Sequence, residues 1–122
     1  MRLENRRIGI TGAGSGIGRA IALALAQEGA RLAITDLNPD WASKVAEEVR
    51  QLGCDSISLP IDVTDRGQVE KSVEKIASQW GGIDIWCNNA GVSSMRTFLE
   101  LTDQDWDLNM KVNARGAFLC SQ

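Results

Sequence analysis

The chain has 122 residues, 43% apolar and 24% charged, which fits one soluble globular domain. A net charge of −3 argues against a surface built for nucleic acid or anionic membrane, which would need clustered Lys and Arg. Histidine and tyrosine are absent, which removes the commonest general base and a common proton donor.

Met1–Arg7 is polar and charged, so no leader is expected there, and no apolar run approaches membrane-spanning length. The Arg6–Arg7 pair flanks the first predicted strand, Arg6–Thr11, which is short, apolar and β-branched. The glycine run TGAGSGIG comes next, and then a predicted helix with Ile17, Ala20, Ile21, Ala24 and Leu25 as its inward face and Gly29 as its stop. Arg31–Asp36 reads as a second strand. Asn38 and Pro39 then open a helix, Asn as cap and Pro at the first helical position, with Trp41, Val45, Val49 and Leu52 along one face. Ser56–Asp62 reads as a third strand, followed by a helix capped by Thr64 with Val69, Val73, Ile76 and Trp80 inward. Ile83–Asn89 reads as a fourth strand, and Thr102 opens a last helix with Trp106, Met110, Asn113 and Ala117 on one side. Continuous apolar strands alternating with amphipathic helices, βαβαβαβα, specify a parallel sheet covered on both faces, the Rossmann-like doubly wound α/β fold. Cys54, Cys87 and Cys120 are odd in number and lack CxxC spacing, so they read as reduced thiols in a cytoplasmic protein.

The glycine run lies between a strand end and a helix start. Helix N-termini carry unpaired N–H groups and a partial positive charge, and they bind phosphate where the backbone can come close. Gly12 permits the turn, Gly16 the approach of a pyrophosphate, and Gly18 the packing of helix on strand. The spacing is Gly-x-x-x-Gly-x-Gly, not the commoner G-x-G-x-x-G. Asp36 ends the second strand, where a carboxylate accepts both hydroxyls of an adenine ribose and repels a 2′-phosphate. Neither Ser15 nor Leu37 offers a cation, so NAD is expected as cofactor in preference to NADP.

These residues resemble the short-chain dehydrogenase/reductase family. TGAGSGIG is similar to its TGxxxGxG motif, Asp62–Thr64 to its motif after the third strand, and Asn88–Gly91 to its NNAG signature. Trp106–Leu119 is similar to the helix that carries the family's active-site asparagine, which falls on Asn113. The extended branch with TGxxGxxG does not match. The resemblance implies that Gly12 and Ile17 face the pyrophosphate, with Ser15, Gly16 and Gly18 also binding the cofactor, Asp36 the ribose, and Asp62 with Val63 the adenine. Asn89, Ala90 and Gly91 would face the nicotinamide, while Asn88 or Asn89 ties neighbouring strands together. Asn113, on the inward side of its predicted helix, is either a buried amide bonded to backbone or, as the resemblance implies, the position whose main-chain carbonyl holds a water in a proton relay.

The family moves a hydride between nicotinamide and a carbonyl or secondary alcohol, with the proton supplied by a Tyr assisted by a Lys four residues on and a Ser polarising the substrate oxygen. A chain without tyrosine has no such triad, and Ser121 falls too early to be that serine. The expectation is therefore an incomplete cofactor-binding domain over residues 1–122 that binds NAD without turnover, the family fold continuing beyond it. The fourth strand would be left as an open edge. The alternatives are a non-catalytic NAD-binding module and a structural protein with a vestigial site. Val92–Trp106, with Ser93, Ser94 and Arg96, looks most like family members acting on sugars or polyols. A small-molecule substrate and a homo-oligomer are expected of the parent, with no nucleic acid, membrane or metal.

Overall fold

In a computed structural model, which describes all 122 residues, four strands form one sheet: β1 (Arg7–Ile10), β2 (Arg31–Asp36), β3 (Ser56–Pro60) and β4 (Ile85–Cys87). Their order is β3-β2-β1-β4 and every pairing is parallel, with Ile10 opposite both Ile34 and Cys87, and Asp36 opposite Pro60. The helices are α1 (Gly16–Gln27), α2 (Pro39–Gln51), α3 (Arg66–Trp80), α4 (Asp103–Asn109) and α5 (Gly116–Ser121). A 3-10 turn at Phe98–Glu100 precedes α4, and a π turn at Met110–Arg115 joins α4 to α5. This is the doubly wound α/β arrangement expected from the sequence, with β4 on an edge. No helix is long and apolar enough to cross a membrane.

Successive strand residues point to opposite faces, and both faces are covered. Ile8, Ile10, Leu32 and Ile34 pack against Ala22 and Ala26 of α1 and Val45 and Val49 of α2. Ala33 and Leu59 pack on the other side against Ile76 of α3, and Ile61, Val63, Val69 and Cys120 carry that second core out to α5. Gly9 leaves room on this second face for the Trp86 ring, which a Cβ there would strike. Ile8, Ile10, Leu32, Ile34 and Ile76 are fully buried, and burial of each such side chain contributes about 1.5–3 kcal/mol.

The helix phases depart from the expected faces. On α1 the buried residues are Gly18, Ala22 and Ala26, while Ile17 is 75% exposed and Ala20 and Ala24 face solvent. The smallest residues face the sheet because the helix approaches it too closely for larger ones; Ile21 and Leu25 flank the contact. On α2, Ala42 and Ala46 join Val45 and Val49 inside, and Trp41 and Leu52 are exposed at the two ends. Asn38 caps α2 as expected, its Oδ1 accepting from Asp40 N and Trp41 N. The cap of α3 is Asp65, which accepts from Gln68 N, not Thr64. Thr64 is engaged by Asp62 instead.

Thr102 caps α4 through a reciprocal pair with Asp105. The predicted single helix then breaks its α ladder at the π turn, which inserts an extra residue and shifts the helical phase of α5. Trp106 before the turn and Met110 and Asn113 within it are exposed, and Gly116, Leu119 and Cys120 of α5 are buried. Strand β4 is shorter than Ile83–Asn89 at both ends. At its start Asp84 leaves the ladder for Arg7, accepting from the Arg7 backbone N–H, Nε and Nη2 at 2.9, 2.9 and 2.7 Å. That bidentate pair holds the Asp84 carboxyl well below the usual carboxylate range.

Candidate functional site

Parallel strands bring their C-terminal ends to one edge, and the loops that leave Ile10, Asp36, Pro60 and Cys87 meet there. The glycine loop turns at Gly12, φ +62°, and again at Gly16, φ +52°, backbone values that L side chains rarely adopt. A Cβ at Gly16 would meet nothing within 4 Å, so the backbone there faces open space. Ser15 is the N-cap of α1 but its side chain makes no cap hydrogen bond, which leaves the first N–H groups of the helix without that partner. Gly18 is the opposite case: a Cβ on it would collide with the Gly12 carbonyl oxygen, Asn89 Nδ2 and Ala13 Cα.

The loop after β4 is locked to the glycine loop. Asn89 Nδ2 donates to the carbonyls of Thr11 and Gly12, both at 3.1 Å. The buried Thr11 Oγ1 accepts from Asn89 N at 3.1 Å and Ala90 N at 3.0 Å. Asn89 is therefore the tie between neighbouring strand ends. Asn88 turns away from the cleft, accepting from Trp86 Nε1 and donating to Ser121 Oγ.

Asp36 is aimed by two backbone donors. Gly14 N bonds its Oδ2 and Asn38 N its Oδ1, each at 2.9 Å. A carboxylate oxygen accepts more than one hydrogen bond, so both retain acceptor capacity. Asp62 Oδ1 accepts from Thr64 Oγ1 at 2.7 Å and Thr64 N at 2.9 Å. Those bonds, the hydroxyl's first, hold its carboxyl below the ordinary value, with Lys111 adding to the effect.

Gly12, Ser15, Gly16, Ile17, Gly18, Asp36, Asp62, Val63, Asn89, Ala90 and Gly91 all line one cleft of about 420 Å³. Leu37, Trp41, Ile61, Val92 and Val112 line it too. The expectation placed Trp41 on one helix face with Val45 and Val49, and Ile61 within a strand. Nothing in the local pattern marks either as a cleft residue.

Asn113 stands outside that lining; its amide is bonded to backbone, as one reading of it expected, but at an exposed position. Its side chain holds the Val92 backbone: Oδ1 accepts from Val92 N and Nδ2 donates to Val92 O, both at 2.8 Å. It thereby holds the chain just after Gly91. Ser93, Ser94 and Arg96 lie apart from the cleft. Ser94 Oγ accepts from Asn109 Nδ2 at 2.9 Å, and Arg96 pairs with Asp105 at 3.7 Å.

The family profile described as short chain dehydrogenase matches residues 6–122. A 3-oxoacyl-[acyl-carrier-protein] reductase from Thermotoga maritima is 37% identical over 122 residues, 100% of this chain and 50% of that protein. A sorbitol dehydrogenase from Cereibacter sphaeroides is 36% identical over 122 residues, again the whole chain and 46% of that protein. The crystal structure of a short-chain type dehydrogenase/reductase from Mycobacterium marinum superposes with a TM-score of 0.93 at 34% identity, covering 98% of this chain and 49% of that one. The chain thus spans about half the length of the curated relatives it matches.

Proposed function

The chain belongs to the short chain dehydrogenase family, and on that premise we propose that its cleft binds NAD for hydride transfer to or from a carbonyl or secondary-alcohol carbon. The bound nicotinamide supplies the redox chemistry; these residues bind and orient it. Gly12, Gly16 and Ile17 face the pyrophosphate, Ser15 starts the helix whose N–H groups meet it, and Gly18 packs that helix against the strand behind. The fit is good because open space lies over Gly16 and the first N–H groups of α1 have no side-chain cap. Asp62 and Val63 take the adenine, and Asn89, Ala90 and Gly91 the nicotinamide side. Asn113 belongs to the active site of the whole protein, its π turn departing from the α ladder as functional segments often do. Its amide keeps the chain at Val92 in place beside Gly91.

The observation that carries the choice of NAD is Asp36. Its carboxylate is fixed by Gly14 N and Asn38 N, lines the cleft, and has lone pairs left for ribose hydroxyls. A 2′-phosphate would meet that negative charge. Asp36→Asn removes the charge and sets an amide NH2 against one of the two backbone N–H groups, so circular dichroism accompanies it to show folding. The substitution is expected to weaken NADH binding about 10-fold, the scale of one charge-assisted hydrogen bond, and to narrow the gap to NADPH. Fluorescence titration of both cofactors checks this; an unchanged NADH affinity would sink the role of Asp36.

The chain holds no tyrosine, so the 122 residues by themselves bind cofactor without turnover, and catalysis belongs to a longer protein. We read that protein as a cytoplasmic homo-oligomer; three free cysteines suit a reducing compartment. A sugar or polyol substrate fits the sorbitol dehydrogenase relative, and the acyl reductase is as similar.

A further inference from the structure

We infer that Trp41 is a cofactor-specificity residue: its indole walls the ribose end of the cleft, packs on the adenosine half of the dinucleotide, and occupies room that a 2′-phosphate needs. This rests on the reading of the cleft as a dinucleotide site. Trp41 stands in the first turn of α2, its N–H held by Asn38 Oδ1 at 3.2 Å, so the cap that starts the helix also places the side chain. Its Cβ abuts the glycine loop. A methyl group on Gly14 would lie 2.7 Å from Trp41 Cβ and 2.8 Å from Asp36 Oδ2. Gly14, Asp36 and Trp41 therefore form one packed corner where the loop meets the end of β2.

Beyond Cβ the residue is open. Trp41 is 52% exposed and lines the cleft next to Leu37. Trp80 and Trp86 donate their indole N–H groups to Asp55 and Asn88, whereas the Trp41 indole bonds to no protein acceptor. An aromatic face and a free donor thus stand beside the carboxylate assigned to the ribose. The charge that lines the cleft at this corner is Asp36, and the Arg19 guanidinium is paired with Glu48. Exclusion of a 2′-phosphate at this corner is then steric as well as electrostatic.

The test is a titration of wild type, Trp41→Ala and Trp41→Phe with NADH and NADPH, following nicotinamide emission and energy transfer from tryptophan, with circular dichroism to show folding. Trp41→Ala is expected to weaken NADH binding about 3- to 10-fold, the scale of one lost aromatic contact, and to shrink the NADH preference. Trp41→Phe keeps the packing at Gly14 and is expected to stay within about 2-fold of wild type for NADH. It is also expected to lose a large part of the tryptophan-to-nicotinamide transfer even though the other three tryptophans remain. A folded Trp41→Ala with wild-type affinity and preference overturns the inference, as does undiminished transfer in Trp41→Phe, and either leaves the cofactor reading standing. A folded wild type that binds neither cofactor overturns both.

Discussion

Gly18→Ala is expected to destabilise the chain by about 2 kcal/mol and to abolish cofactor binding. One methyl group is added, and helix propensity favours it by about 1 kcal/mol. The packing opposes it. The new Cβ would overlap the Gly12 carbonyl oxygen, Asn89 Nδ2 and Ala13 Cα. Two of those three atoms are backbone, so no rotamer change relieves the overlap, and helix α1 must lift away from β1. Lifting it separates the glycine loop from the Asn89 amide that fixes it. Gly16→Ala is the control: nothing lies near its Cβ, and only the positive φ, +52°, opposes it. Its cost is about 1–2 kcal/mol. The two costs are close, so amide hydrogen exchange along α1 makes the distinction, its protection falling in Gly18→Ala and not in Gly16→Ala. A Gly18→Ala protein as stable as wild type by urea unfolding would show that α1 does not dock through that glycine.

Thr11→Val is expected to cost about 2–4 kcal/mol, from two unsatisfied groups at about 1–2 each. The two side chains are nearly the same shape, so no cavity forms. What disappears is the hydroxyl oxygen that accepts from both Asn89 N and Ala90 N at a position only 2% exposed. Valine offers those N–H groups nothing, and a buried unpaired donor bears its full desolvation cost. The loop from Asn89 to Gly91 would then lose its anchor on β1. Denaturant unfolding gives the stability change, and amide hydrogen exchange at Asn89 and Ala90 locates it. Unchanged protection of those two amides would contradict the assignment.

The sequence of elements, the Asn38 and Thr102 caps and the glycine loop were legible because each is written in local chemistry. Asn38–Pro39 and Thr102 start helices where their residue types say, and Asp36 ends β2 at the edge where the loops gather. The helix faces were less legible. Periodicity weighs large apolar residues, whereas α1 docks through Gly18, Ala22 and Ala26 because closeness to the sheet selects for smallness. Spacing set Trp41 on one face with Val45 and Val49 and gave no sign that it lines the cleft. The π turn has no sequence signature, so the side of Asn113 could not be read from spacing. Thr11 looks like any strand residue until its hydroxyl is seen between two amides.

The most direct measurement is a side-by-side titration of the folded chain with NADH and NADPH. Both are expected to bind, NADH tighter by at least about 10-fold, the worth of one charge-assisted hydrogen bond at Asp36. Equal or tighter binding of NADPH would contradict the roles given to Asp36 and Trp41. A folded chain that binds neither would contradict the reading of the cleft itself.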